Sequence, residues 1–379
     1  VSPMRFHIPG LAHTVTESSQ YSACAFTQKV FKLCGMLKGL GHHVIHYGHE
    51  RSTVDCSEHV TVTNDEVLRE AYGDYNWKKE FFKHDQNDHA FKVHAENTIQ
   101  AIQHRKRPND FLLLPFGWGH KRIADAHRDL ICVESGIGYS DSFAQFKIFE
   151  SYALMHAFHG TEFVREAKMG FYNSFVVPNH FDPEDFSFNL HREDWILYLW
   201  RMTQGKGLHI ILDATRRAGK RLLVAGQGDF KDIPYTGSMD HVEYVGYADR
   251  EKRRDLMSRC GALIILSQYI EPFGGVAVEA MMSGAPVVAS DWGVFPETIR
   301  HGETGYRVRT MEDTVWALKN VGRISPTVCR DWAVKNYSNE RVGRMYNEVF
   351  RKILDIYDGS GGWYAERPER TDLEWLRKY

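Results

Sequence analysis

Two short runs in the second half of the chain, Ala262–Leu266 and Pro286–Ala289, are apolar at every position. A strand with one wet face alternates apolar and polar residues. A strand apolar on both faces has to be covered on both, as parallel strands are when helices pack above and below the sheet. The flanking pattern supplies those helices. Trp195–Trp200 reads as a strand, Gly207–Ala218 as a helix, Arg221–Ala225 as a strand, Val242–Val245 as a short strand, Arg250–Ser258 as a helix and Gly275–Ser283 as another. Strands alternating with helices in this way predict an α/β domain with a parallel sheet.

The first half opens similarly. Met4–Pro9 is a short apolar strand ending at Pro9-Gly10. Ala25–Leu40 carries Phe26, Val30, Leu33, Leu37 and Leu40 at helical spacing and is stopped by Gly41, and His43–Tyr47 is the next strand. Residues 64–106 are polar and aromatic, helical with insertions. Strands are expected at Phe111–Pro115 and Leu130–Glu134, with Phe149–His156 and Phe175–Pro178 as further strand candidates. A Pro/Asp/Asn-rich linker, Asn179–Asn189, separates the halves. The chain's 379 residues suit two domains better than one. The expected division is 1–185, 186–340 and a helical tail over 341–379, with a long helix at Asn339–Tyr357.

Charge and cysteine usage narrow the class. Forty-seven basic residues against 49 acidic ones argue against a protein that grips duplex nucleic acid through many phosphates. The basic run His104–Arg107 reads as a solvated surface. The six cysteines stand singly at 24, 34, 56, 132, 260 and 329, with no CxxC pair, and predict free thiols in a reducing compartment. No apolar run reaches membrane-spanning length, and the start of the chain has no signal core. A soluble cytoplasmic protein is expected, with peripheral contact at a membrane left open. The 20 histidines show no clustered metal-ligand spacing, so no metal is expected.

Three segments carry chemistry. Glu271–Gly284 (E-P-F-G-G-V-A-V-E-A-M-M-S-G) runs as a loop through Gly274 and Gly275 into a helix that Gly284 caps. Free N–H groups and the partial positive charge of a first helical turn suit a diphosphate, and glycine lets the ligand approach the backbone. Glu271 would sit at a strand's C-terminal end, where open α/β sheets bind ligands. Glu279, on the helix, could accept hydrogen bonds from a diol such as ribose. The second segment, W-R-M-T-Q-G-K-G, puts Arg201 and Lys206 at the same rim, two cations suited to a leaving diphosphate. The third, Gly226-Gln227-Gly228 after L-L-V-A, reads first as a tight turn and second as a ligand contact.

In this order and spacing the segments resemble the large retaining family of GT-B glycosyltransferases, the glycosyl transferases group 1 or family 4, from Trp195 to about Val308. Arg201 and Lys206-Gly207 resemble its arginine and lysine-glycine. Glu271 and Glu279, with seven residues between them, resemble its glutamate pair. A-P-V-V-A-S-D, Pro296-Glu297 and His301–Val308 resemble the motifs that follow, and V-V-P-N-H-F-D at 176–182 resembles the interdomain motif. The resemblance implies two facing Rossmann-like domains with a nucleotide-sugar donor in the cleft, a UDP-sugar by preference, and the acceptor on the N-terminal side. It further implies transfer with retention, no metal or other cofactor, and a terminal helix crossing back to the N-terminal domain. Glu271 would contact the donor sugar and Glu279 the ribose. Arg201 and Lys206 would offset the diphosphate, and Gly274, Gly275, Val276, Gly226 and Gly10 would line the donor.

The chain departs from the family at Trp200, where glycine usually precedes the arginine, at His180 in the interdomain motif, and in its first loop, where only Gly10 remains of a common glycine pair. The histidine that many members place at the end of a central N-domain strand is replaced by L-I-C-V-E-S-G. Glu134 then takes either that catalytic place or that of a structural strand-end carboxylate, and His120 is the weaker candidate. Two other classes compete on the same fold: a nucleotide-sugar 2-epimerase with hydrolytic chemistry, and a non-catalytic binding module. The acceptor, which could even be a modified DNA base, and the oligomeric state stay open.

Overall fold

The computed structural model describes residues 3–17, 24–76, 80, 82–167 and 173–357. Parts of the expected tail beyond Tyr357 lie outside the described residues. The chain forms two units. Unit 1 holds the described residues up to Glu150, Met155–Asn179 and the last helix from Val342; unit 2 holds Ser151–Leu154 and His180–Arg341.

Unit 1 is built on β1 (Arg5–Pro9), β2 (His43–His49), β3 (Glu58–Thr63), β4 (Phe111–Leu113), β5 (Ile131–Ile137), β6 (Phe146–Phe149) and β7 (Ser174–Val176). They pair in parallel in the order β3-β2-β1-β4-β5-β6-β7. Its helices are α1 (Ala25–Gly39), α2 (Asp65–Tyr72), α3 (His89–Gln103), α4 (Lys121–Ala126) and α5 (Tyr152–Glu166), whose first residues belong to unit 2. Their starts follow local chemistry. The Asn64 side chain accepts the Val67 N–H to cap α2, and Asp88 accepts that of Phe91 to cap α3. Gly41, at φ +85°, follows α1 in the backbone region that favours glycine.

Unit 2 contains β8 (Trp195–Leu199), α6 (Leu208–Ala218), β9 (Arg221–Ala225), β10 (Val242–Gly246), α7 (Arg250–Arg259), β11 (Ala262–Ile265), α8 (Gly275–Met282), β12 (Val287–Ser290), α9 (Phe295–Thr298), β13 (Gly305–Val308), α10 (Met311–Asn320), α11 (Pro326–Tyr337) and the start of α12 (Asn339–Tyr357). The strands pair in parallel in the order β10-β9-β8-β11-β12-β13. β8 and β11 are buried along their whole length, as strands apolar on both faces require. Strand order reverses between these two, and the loops after them are where an open α/β sheet binds its ligand.

One expectation is corrected. Phe149–His156 is not a strand. β6 ends at Phe149 and α5 begins at Tyr152. The run, F-E-S-Y-A-L-M-H, mixes apolar and polar residues with no clear period, and what starts the helix lies far along the chain. The Glu297 carboxylate accepts the N–H groups of Tyr152 (3.0 Å) and Ala153 (2.6 Å), satisfying donors that a first helical turn leaves open. The basic run at 104–107 is engaged in ion pairs, Arg105 with Glu58 at 2.7 Å and Lys106 with Asp129 at 2.6 Å.

Candidate functional site

The loops after β8 and β11 bring Lys206 and Glu271 together. Lys206 closes a 3-10 turn, and Gly207 follows it at φ +71°. A Cβ at Gly207 would lie 2.2 Å from the Leu266 carbonyl oxygen. Glycine is therefore required for this loop to settle against the end of β11. The Gln268 N–H donates to the Gly205 carbonyl at 2.9 Å and joins the loops a second time. The Lys206 ammonium then donates to Glu271 Oε1 at 2.5 Å, and the Ser267 hydroxyl donates to the same oxygen at 2.5 Å. Lys206 and Glu271 are both buried. Burial pushes the lysine below its usual range, the Glu271 charge pulls it back up, and the Arg201 charge lowers it again. The Tyr269 phenol is pushed up by burial and then by Glu271.

Arg201 lies exposed on the same rim. Its loop is set by the glycines after β9. A Cβ at Gly226 (φ +142°) would stand 1.9 Å from the Trp200 carbonyl oxygen, and the Met202 N–H donates to the Gln227 carbonyl at 2.7 Å. Gly226 thus packs backbone against backbone, the turn reading of this motif. Gly274 takes the left-handed conformation, φ +69°, at the N-cap of α8 and offers no side chain to cap it. The first turn of α8, from Gly275 and the buried Val276, therefore presents backbone donors without a side-chain acceptor. Glu279, on the same helix, accepts from Arg253 Nη2 at 2.5 Å.

The residues expected in unit 1 stand apart from this cluster in sequence and unit. Gly10 follows β1, its N–H donating to the Tyr47 carbonyl at 2.7 Å and its carbonyl receiving His120 Nε2 at 2.9 Å. His120 is buried, and that lowers it to about 4. Glu134 is fully buried in β5 and well supplied with donors. Its Oε1 accepts the Tyr139 hydroxyl at 3.0 Å, and its Oε2 accepts the N–H groups of Phe143 (2.9 Å) and Ala144 (2.8 Å). Burial raises this carboxyl and those bonds hold it down. This is the geometry of a carboxylate that pins the loop between β5 and β6.

Three contributors lie outside the residues expected from the sequence: Ser267, Tyr269 and Arg253. Ser267 and Tyr269 lie on the Glu271 loop, and their nearness in sequence is the available signal. Arg253 acts through Glu279, 26 residues along the chain. Glu297, of the Pro296-Glu297 motif, serves instead to start α5. Among the described residues, one group could hold a metal by composition: His49, Glu50 and Asp65. Arg51 already occupies it. Its guanidinium pairs with Asp65 at 2.7 Å and its N–H donates to His49 Nδ1 at 3.1 Å. That bond leaves the proton of a neutral imidazole on Nε2, the nitrogen facing Asp65.

Residues 181–320 match the family described as Glycosyl transferases group 1. Among curated relatives, an uncharacterized glycosyltransferase of Methanocaldococcus jannaschii is 29% identical over 209 residues, covering 48% of this chain and 53% of that protein. The chain thus spans about half the length of this relative. Two solved structures share the fold. A glycosyltransferase involved in avilamycin A biosynthesis superposes with a TM-score of 0.67 at 18% identity, over 93% of this chain and 98% of that one. The Anabaena protein HepE, in complex with UDP and glucose, gives 0.63 at 15% identity, over 92% and 99%. In this chain residues 181–320, set on the second of two parallel Rossmann-like sheets, thus resemble the glycosyl transferases group 1, and the chain shares the GT-B fold of these solved structures.

Proposed function

We propose that unit 2 binds a nucleotide sugar, a UDP-sugar by preference, and that the chain transfers the sugar to an acceptor hydroxyl with retention at the anomeric carbon. The observation that carries this reading is the buried Lys206–Glu271 pair at the point where strand order reverses. The donor diphosphate would lie against the first turn of α8 at Gly274, Gly275 and Val276, with Lys206 and Arg201 as counter-charges. As the anomeric C–O bond breaks, negative charge grows on the leaving phosphate, where fixed cations act most strongly. The acceptor oxygen forms the new bond, and its proton passes to the leaving phosphate. Glu271 would hold the donor sugar and Glu279 the ribose, with Arg253 orienting Glu279. The UDP in the HepE structure supports the choice of base.

A role for Gly10 in donor binding rests on its place after β1. Glu134 serves this function by shaping its loop rather than by touching substrate. Among the described residues no two cysteines are joined by a disulfide. Among the described residues no helix is long and apolar enough to cross a membrane.

The test is incubation with UDP-hexoses, following UDP release with and without candidate acceptors, beside a thermal-shift panel of nucleotides. A nucleotide at 100 times its Kd should stabilise the protein by about 2.7 kcal/mol. Failure of every nucleoside diphosphate to raise the melting temperature would overturn the reading. Release indifferent to acceptor would favour the hydrolytic 2-epimerase class.

A further inference from the structure

Lys206 has two aromatic neighbours as well as its carboxylate. Its Nζ stands 3.7 Å from the centroid of the Trp200 ring and 4.9 Å from that of Tyr269. Both lie inside the ~6 Å reach of a cation–π contact. Trp200 is also the position at which this chain departs from the glycine-arginine of the family it resembles. The indole is held in place from behind. It packs on the unit 2 core, and its carbonyl lies where only glycine at 226 leaves room. Its Nε1 is buried and makes no hydrogen bond among the described residues. The indole is therefore not kept for a polar contact at its edge; what it offers the site is its face.

We propose that Trp200 is a positioning residue for Lys206. With Tyr269 it forms an aromatic clamp that holds the ammonium at the diphosphate position and leaves Glu271 as the one exchangeable partner. This rests on the donor-site reading of unit 2. A lysine stem has many rotamers, and ordering it costs entropy when a ligand arrives. The clamp meets that cost in the free protein. When a diphosphate enters, Lys206 exchanges the Glu271 carboxylate for a phosphate oxygen without leaving the ring faces. Glu271, relieved of the lysine, turns its oxygen to a sugar hydroxyl. No covalent bond changes in this exchange. The charged or titratable groups facing Lys206 are Glu271, Arg201 and Tyr269. Removing the indole face takes its attraction away from the ammonium and frees the lysine stem.

The experiment measures UDP binding by calorimetry at pH 7 on the full chain, with W200G, W200L, W200F and K206A. W200G and W200L should weaken UDP about tenfold, or about 1.4 kcal/mol, while W200F, which keeps a ring face, restores most of the affinity. A purely structural role would be filled by W200L as well as by W200F. If W200G fails to fold, W200L against W200F carries the comparison, since both fill the space and only one has a ring. UDP affinity in W200L equal to wild type, with binding lost in K206A, would overturn the clamp and leave the donor site standing. UDP binding unchanged in K206A would overturn the donor-site reading itself.

Discussion

The Lys206 ammonium and the Glu271 carboxylate meet at 2.5 Å with side chains only 8% and 5% exposed, each neutralising the other. A buried pair of this kind is costly to break from one side, because the remaining charge loses its partner without regaining water. Glu271→Ala or Lys206→Met alone should destabilise the protein by about 3–5 kcal/mol, and the double variant should cost less than the two singles added. Denaturant unfolding of the four proteins measures this. Additive losses would show that the two charges do not depend on one another.

The two glutamates should separate in their kinetics. Glu279, tied to Arg253, faces a contact that differs little between ground and transition state. Glu279→Gln should therefore raise the donor KM and leave kcat nearly alone. Glu271 sits where geometry and charge change during the reaction, so Glu271→Gln should lower kcat by roughly 10²–10³. Donor titrations at saturating acceptor discriminate the roles. The reverse assignment would place the sugar and the ribose the wrong way round.

Gly207→Ala tests how the site is assembled. The new Cβ would meet the Leu266 carbonyl in a backbone conformation that alanine rarely adopts. The loop has to lift from β11, and Lys206 with it. UDP affinity should fall as far as it does in Lys206→Ala, while the core strands keep their hydrogen-exchange protection. Unchanged UDP affinity would show that the loop tolerates the shift and that Gly207 does not set the lysine.

Unit 2 was more legible than unit 1 for a physical reason. Buried parallel strands such as β11 and β12 announce themselves as short apolar runs, and Gly284 marks the end of the helix between them. β3, Glu58–Thr63, carries E-H-V-T-V-T, half-buried over its first three residues and buried only at Val62 and Thr63, so no apolar run announces it. α5 was misread because Glu297, which accepts its first N–H groups, is 144 and 145 residues away in sequence. In the site, Lys206 and Glu271 were legible because each follows a strand at the same rim. Their direct contact was not, since it depends on β8 and β11 lying side by side. Arg253 was missed for the same reason: α7 meets Glu279 only once α8 is in place.

Chelation should leave activity intact. Lys206, Arg201 and the first turn of α8 can offset the diphosphate charge without a divalent ion, and Arg51 occupies the His49, Glu50 and Asp65 group. Assays in EDTA, then with added Mg²⁺ or Mn²⁺, measure this directly. An absolute metal requirement would mean that these cations are insufficient and that the diphosphate lies elsewhere.

Acid should unfold unit 1 before unit 2. Unit 1 buries a set of imidazoles around the ends of β1 and β2. His13 stacks on His84 at 4.8 Å, His94 on His120 at 6.4 Å, and His46 Nδ1 lies 3.0 Å from His59 Nδ1. Burial, followed by the neighbouring imidazoles, lowers His13 and His94 to about 3, and burial lowers His120 to about 4. His46 is shifted the same way, by burial and then by His59 and His94. In the unfolded chain these groups titrate near 6.5. Below that pH the unfolded state binds protons that the folded state refuses, so stability is full above about 6.5 and falls as the pH drops toward the folded values. Each such site contributes a slope of up to about 1.4 kcal/mol per pH unit wherever the unfolded state alone is protonated, so the buried imidazoles of unit 1 together give several times that. In unit 2, His241 is also lowered, but it is only partly buried and stands outside any such cluster. Calorimetric scans from pH 8 to 5, with hydrogen exchange to assign each transition to a unit, should show the unit 1 transition moving down first. His94→Leu should flatten that slope by about 1.4 kcal/mol per pH unit. Equal acid sensitivity of the two units, or a slope untouched by His94→Leu, would show that these imidazoles do not set the acid limit.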